Sequence, residues 1–153
     1  MSENKTLNYP SNYEFEVSFD LIDAGNVVYH PNYLILLERA RYDFCKKIGL
    51  NISNHFSDGF AFAVAETKLQ YRAPLFMEQK YEVKSEILKV SRKIINFSQK
   101  IFHKEKEIFT AELLLVHVKI PEMKSVSMPD SMIQSFKKYS LEKEPCNPNC
   151  KII

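Results

Sequence analysis

The stretch DAGNVVYHPNYLILLERARYDF, residues 23–44, places an acid, a glycine, a histidine and a proline within nine residues. An apolar-striped segment follows at once. Asp23 offers a carboxylate that can attack an electrophilic carbon or draw a proton from water. His30 can orient that acid or carry a proton. The start of a helix adds free N–H groups with partial positive charge, a natural seat for a developing anion. Taken alone, the pattern also has a plainer reading. Asp-x-Gly is common in loops, so Asp23 can be a turn residue beside Gly25, and His30 a helix cap without chemistry.

The elements around this stretch decide what it can do. Residues 1–12 are polar and read as a lead-in. Residues 13–19, YEFEVSF, alternate, with Tyr13, Phe15, Val17 and Phe19 on one face, and predict a half-buried strand. From Asn32 the period becomes helical through Tyr33, Leu37, Ala40, Phe44 and Ile48, widened by Leu34, Leu36 and Cys45. Pro31 suits the first turn and Gly49 the position just past the end, so a helix of about 17 residues is expected. Lys46 and Lys47 favour its negative end. The apolar surface is too broad for a helix lying on the outside, and it should be wrapped by other structure.

Residues 51–59 read as a polar loop. Four strand-like segments follow: FAFAVAETKLQYRAP, KYEVKSEILKV (80–90), IINFSQKIFH (94–103) and EIFTAELLLVHVKI (107–120). In the second, Tyr81, Val83, Ser85 and Ile87 point inward. The turns between the later segments are short and charged. DSMIQSFKKYS (130–140) predicts a short amphipathic helix, and 141–153 an irregular tail. One strand, one long helix, then consecutive strands fits an α+β domain over 13–140, an antiparallel sheet against a helix.

Composition narrows the class. The chain has 153 residues, enough for one domain with a core. A net charge of +2 gives no bulk electrostatic grip on nucleic acid. Cys45, Cys146 and Cys150 make no disulfide framework. No apolar run nears the ~18 residues of a membrane helix, and no leader pattern opens the chain. The expectation is a cytoplasmic, unprocessed protein with no membrane partner. His55, His103 and His117 lie apart without ligand spacing, so no metal site is expected, nor any cofactor. Two tail thiols alone make a poor metal site. The closing CKII formally fits a prenylation box, without meaning in a bacterial chain unless it reaches a eukaryotic host.

At the loop and helix a family resemblance becomes specific. Asp23, Gly25, Val27, Val28, Tyr29, His30, Tyr33, Glu38, Ala40 and Arg41 resemble the signature of hotdog-fold acyl-CoA thioesterases. The likeness is to the YbgC-like and 4-hydroxybenzoyl-CoA thioesterase types. AETKLQYRAPL (65–75) is similar to that family's second strand, with its Tyr and Pro. The sequence departs from the pattern at Leu21, Asn26, Met77 and Glu78.

The resemblance implies a hotdog fold, an antiparallel sheet wrapped around one long central helix. It also implies hydrolysis of a small acyl- or aroyl-CoA. Asp23 would be the nucleophile or general base, and His30 its catalytic companion. The helix N-terminus would polarise the thioester carbonyl. Pro31 has no N–H, so the expected donor is the backbone N–H of His30, with Asn32 or Tyr33 as secondary candidates. Tyr29, Asn32 and Tyr33 are candidates to line the substrate site. A basic rim for the CoA phosphates would draw on Arg72 and Arg92, with Lys89, Lys93 and Lys104 as further candidates. Glu38 and Arg41, three apart on the helix, read as an intrahelical or inter-subunit salt bridge. The implied assembly is a homodimer or homotetramer with interfacial sites. The rivals are an inactive hotdog dimer acting as a scaffold and a hotdog hydratase or dehydratase.

Overall fold

The computed structural model describes residues 12–141. The elements are β1 (Asn12–Glu16), α1 (Asn32–Lys47), α2 (Ile52–Ser57), β2 (Phe60–Tyr71), β3 (Lys80–Val90), β4 (Ile94–His103), β5 (Lys106–Lys119), β6 (Lys124–Ser125) and α3 (Asp130–Lys138). A single 3-10 turn spans Phe19–Leu21. The sheet order is β1-β3-β4-β5-β2, with β6 paired to β5. β1 runs antiparallel to β3, with Tyr13 opposite Val83 and Phe15 opposite Tyr81. The short turns joining β3, β4 and β5 admit only antiparallel neighbours. The tail cysteines Cys146 and Cys150 and the closing CKII lie outside the described residues. So does the polar lead-in, except Asn12, which opens β1.

The chain divides into two compact units, described over 12–51, 69–85 and 99–111 for the first, and over 52–68, 86–98 and 112–141 for the second. In the first, α1 buries Tyr33, Leu36, Leu37, Ala40, Phe44 and Cys45. Burying a Leu or Phe fully contributes about 1.5–3 kcal/mol, so this stripe fixes the helix's rotation. Gly49 follows α1 with φ +85°, as its place past the helix end requires. The far side of α1 is less covered than its composition predicts. Leu34, Ile35 and Tyr42 are 38%, 42% and 50% exposed.

Two expectations fail in detail. The first strand ends at Glu16 rather than Phe19, and Phe19 faces solvent. The Ser18 hydroxyl donates to the Asp20 carboxylate, and the Leu21 N–H to the Ser18 carbonyl, which draws this segment into a turn. Residues 51–59 hold a short helix, α2, rather than only loop. No residue of α2 is fully buried, so it leaves no apolar period to read.

A polar network lies in the first unit among the inward residues of α1, β3 and β4. Gln99 is fully buried between Phe97 and Ile101 along β4. Its Nε2 donates to the Leu37 carbonyl at 3.0 Å and to the Ser85 hydroxyl at 2.9 Å. Its Oε1 accepts from Arg41 Nη1 at 2.9 Å. Arg41 thus directs its guanidinium to Gln99, and among the described residues no Glu38–Arg41 ion pair forms. Burial lowers the Arg41 pKa, opposed by the charge of Glu38. Beside it, burial pushes the Cys45 thiol up to about 12, so this cysteine is a packed, protonated side chain.

In the second unit, His55 and His117 meet across the fold, with Nε2 atoms 2.8 Å apart. His117 is wholly buried, and its Nδ1 lies 2.8 Å from the Val126 carbonyl. Phe60 stacks on both imidazoles.

Candidate active site

The loop ahead of α1 is closed by its own backbone. The Asp23 N–H donates to the Val27 carbonyl at 2.9 Å, and the Asn26 N–H to the Asp23 carbonyl at 3.0 Å. Asn26 takes φ +64°, a left-handed conformation that Asn tolerates better than most residues. Bridges of Ile22 with Val28 and of Val27 with Phe76 stitch the loop to its surroundings. The Val28 N–H reaches the Leu75 carbonyl at 2.9 Å, and the Tyr29 N–H the Leu21 carbonyl at 3.0 Å.

Inside this frame the Asp23 side chain is exposed, and its Oδ1 accepts from the Gly25 N–H at 2.7 Å. The carboxylate is therefore oriented by its own loop. Among the described residues no hydrogen bond joins it to the His30 imidazole. That ring is exposed and packs edge-on against Tyr29, centroids 5.0 Å apart.

The N-terminus of α1 is more selective than its sequence suggests. The N–H groups of Asn32, Tyr33 and Leu34 turn back onto the carbonyls of Tyr29, His30 and Pro31, at 2.8, 3.3 and 3.2 Å. Pro31 has none to offer. That leaves the N–H of His30, which meets no acceptor among the described residues. The Tyr29 carbonyl points along the helix to Asn32, and a trans peptide aims the N–H of His30 the opposite way, out of the positive end.

The remaining candidates are placed as follows. Tyr29 is half-exposed. The Asn32 side chain donates to the Leu21 carbonyl at 2.8 Å, a brace for the loop. Tyr33 is buried, with its ring against Tyr71 and Phe109. Burial raises its pKa, opposed by the Leu75 backbone. Arg72 is exposed, donates to Gln70 Oε1 at 3.1 Å and lies 3.9 Å from Glu107. All of these share the first unit with Asp23 and His30, whereas Arg92 belongs to the second.

Neither Tyr71 nor Gln99 is marked as a site residue by its sequence spacing. Tyr71 donates its hydroxyl to the His30 carbonyl at 3.1 Å, across 41 residues of chain. Its one signal was the Tyr of the family-like strand. Gln99 carried a physical signal, a polar residue at an inward position of an alternating strand.

Comparison with known proteins places this geometry in a family. A family model described as the thioesterase-like superfamily matches residues 17–136. The acyl-CoA thioester hydrolase YbgC of Escherichia coli O6:H1 is 30% identical over 122 residues, covering 79% of this chain and 91% of the relative. The crystal structure of DHNA-CoA thioesterase from Staphylococcus aureus superposes with a TM-score of 0.80 at 25% identity, covering 84% of this chain and 89% of that one. A hypothetical protein from Aquifex aeolicus superposes at 0.77 with 28% identity, covering 82% and 98%. The sheet with its long helix is the hotdog arrangement of these neighbours. The chain belongs to the thioesterase-like superfamily, as a hotdog-fold thioesterase of the YbgC-like kind.

Proposed function

We propose that this protein hydrolyses the thioester of a small acyl- or aroyl-CoA at Asp23 and the N-terminus of α1. One observation carries the reading. A loop-held carboxylate and an N–H that meets no acceptor among the described residues, at a helix's positive end, belong to the same short segment. The substrate class follows the family. The Escherichia coli relative is named an acyl-CoA thioester hydrolase, and the Staphylococcus aureus neighbour a DHNA-CoA thioesterase.

The chemistry divides between two groups. The thioester oxygen accepts from the N–H of His30, which offsets charge as the carbonyl becomes tetrahedral. The Asp23 carboxylate then acts by one of two routes. As nucleophile it bonds to the carbonyl carbon, the C–S bond breaks, and the CoA thiolate leaves with the electron pair. Water then opens the mixed anhydride and restores the carboxylate. As general base it takes a proton from water while the hydroxide bonds to that carbon, and the thiolate leaves and is protonated. With Oδ1 held by Gly25, Oδ2 is the oxygen for either task. The exposed His30 imidazole can return a proton to the departing sulfur. Tyr29, Asn32 and Tyr33 shape and brace the mouth of the site, while Arg72 and Arg92 are candidates for the CoA phosphates.

The same reading includes a homodimer or homotetramer in the cytoplasm. The exposed apolar side of α1, with Leu34, Ile35 and Tyr42, supports an assembly that covers it. Sedimentation at micromolar protein should give a dimer or larger, and a fully active monomer would refute an interfacial site. A panel of short aliphatic and aromatic acyl-CoAs, assayed with a thiol reagent, tests the activity. Release of free thiol is expected from at least one class. Silence across the panel from folded protein would favour a binding or scaffold role instead.

A further inference from the structure

We propose that Tyr71 is a positioning residue for hydrolysis, acting through the backbone of His30. The inference rests on the reading of His30 as oxyanion donor and names what holds that donor in place.

Two consecutive peptide groups set the direction of the His30 N–H. The Tyr29–His30 group carries the N–H itself, and its carbonyl is fixed by the Asn32 N–H at 2.8 Å. The His30–Pro31 group must be fixed as well, or rotation about His30 re-aims its neighbour. Its carbonyl receives a 3.3 Å bond from Tyr33 N–H and the 3.1 Å bond from the Tyr71 hydroxyl. The first comes from the helix that the loop itself begins. The second comes from β2, so Tyr71 ties the donor to the sheet rather than to its own helix.

The ring is held independently of that bond. It meets Tyr33 at 4.8 Å and Phe109 at 5.0 Å, edge-on to both. Just past it the chain changes direction: the N–H groups of Arg72 and Ala73 both reach the Ile108 carbonyl, at 3.0 and 3.1 Å. The strand therefore ends where the hydroxyl meets the loop. Burial raises the Tyr71 pKa, so the hydroxyl remains a donor throughout the neutral range. Nothing in this arrangement requires Tyr71 to touch substrate.

Tyr71→Phe isolates the hydroxyl, because Phe keeps the ring between Tyr33 and Phe109. Its melting temperature should match that of the parent. Steady-state kinetics should be compared for an acyl-CoA thioester and for its dithioester analogue, in which the accepting oxygen is sulfur. Sulfur accepts hydrogen bonds poorly, so the thioester-to-dithioester rate ratio reports the oxyanion contact. The wild-type enzyme should favour the thioester strongly. In Tyr71→Phe, kcat on the thioester should fall about tenfold at nearly constant KM, as for a misplaced catalytic donor. The ratio should shrink with it. A variant that keeps kcat within about twofold and the full ratio overturns the role of Tyr71 and leaves the oxyanion reading standing. A loss confined to KM also overturns it. A wild-type enzyme indifferent to the sulfur overturns the His30 donor, and this proposal with it.

Discussion

The Asp23 Oδ1 that accepts the Gly25 N–H at 2.7 Å would also lie 3.1 Å from a methyl group built on Gly25. The φ of Gly25 is outside the left-handed range, so backbone freedom is not what this position requires. Room for the carboxylate is. Gly25→Ala should leave the fold intact, with a stability change of about 1 kcal/mol or less, while pushing the Asp23 oxygen aside. We expect kcat to drop about tenfold with the melting curve nearly unmoved. Full activity in Gly25→Ala would mean the present carboxylate position is not the working one.

Gln99 is the buried junction of α1, β3 and β4, and Leu is close to it in size. Gln99→Leu strands the Ser85 hydroxyl and takes the acceptor from Arg41, whose charge burial already disfavours. The loss should be about 3 kcal/mol, or a fall in melting temperature of about 10 °C. Arg41→Met combined with Gln99→Leu should recover part of it, since two matched apolar residues leave no buried cation unpaired. A Gln99→Leu protein as stable as the parent would show that the network contributes nothing net.

The His55–His117 pair predicts a pH dependence of folding. His117 Nδ1 faces the Val126 carbonyl and must carry a proton, so its Nε2 accepts from His55 Nε2. Burial first, then the neighbouring His117, lowers the His55 pKa below 6.5, and Asp58 opposes them weakly. Between the lowered folded value and 6.5, the unfolded chain binds more protons than the folded one. Stability is therefore present above that window and is lost as pH falls through it. The melting temperature should decline from pH 7.5 to pH 5. His55→Gln, which keeps an N–H donor but does not titrate, should flatten that decline. Equal slopes for both proteins would remove His55 from the account.

Local rules reached the elements whose pattern is strictly periodic. Pro31 and Gly49 bracket α1 to within a residue or two, and Tyr81, Val83, Ser85 and Ile87 all point inward as alternation requires. What stayed hidden depends on partners distant in the chain or on polar local bonds. β1 stops early because Ser18 and Asp20 make a turn that hydrophobicity does not encode. The two-residue strand β6 exists only through its pairing with β5. His55 and His117 lie 62 positions apart, as do Gln99 and Leu37, and no spacing rule joins them. At the site, Asp23 and His30 stood out by type and motif. That Asn32 and Tyr33 have already committed their N–H groups is a matter of backbone geometry, as is the reach of Tyr71 to His30.

If the Asp23 carboxylate performs the chemistry, its replacement by Asn should be felt in kcat. Asn preserves size and can still accept from the Gly25 N–H, but it lacks the charge needed to attack or to take a proton from water. With its best acyl-CoA, the folded variant should lose at least about 10² in kcat while still binding that substrate. His30→Ala should lose less, because truncation spares the backbone N–H. A folded Asp23→Asn enzyme turning over at near the wild-type kcat would contradict the account. The working carboxylate would then have to be sought at Glu38 on α1 or Glu66 on β2.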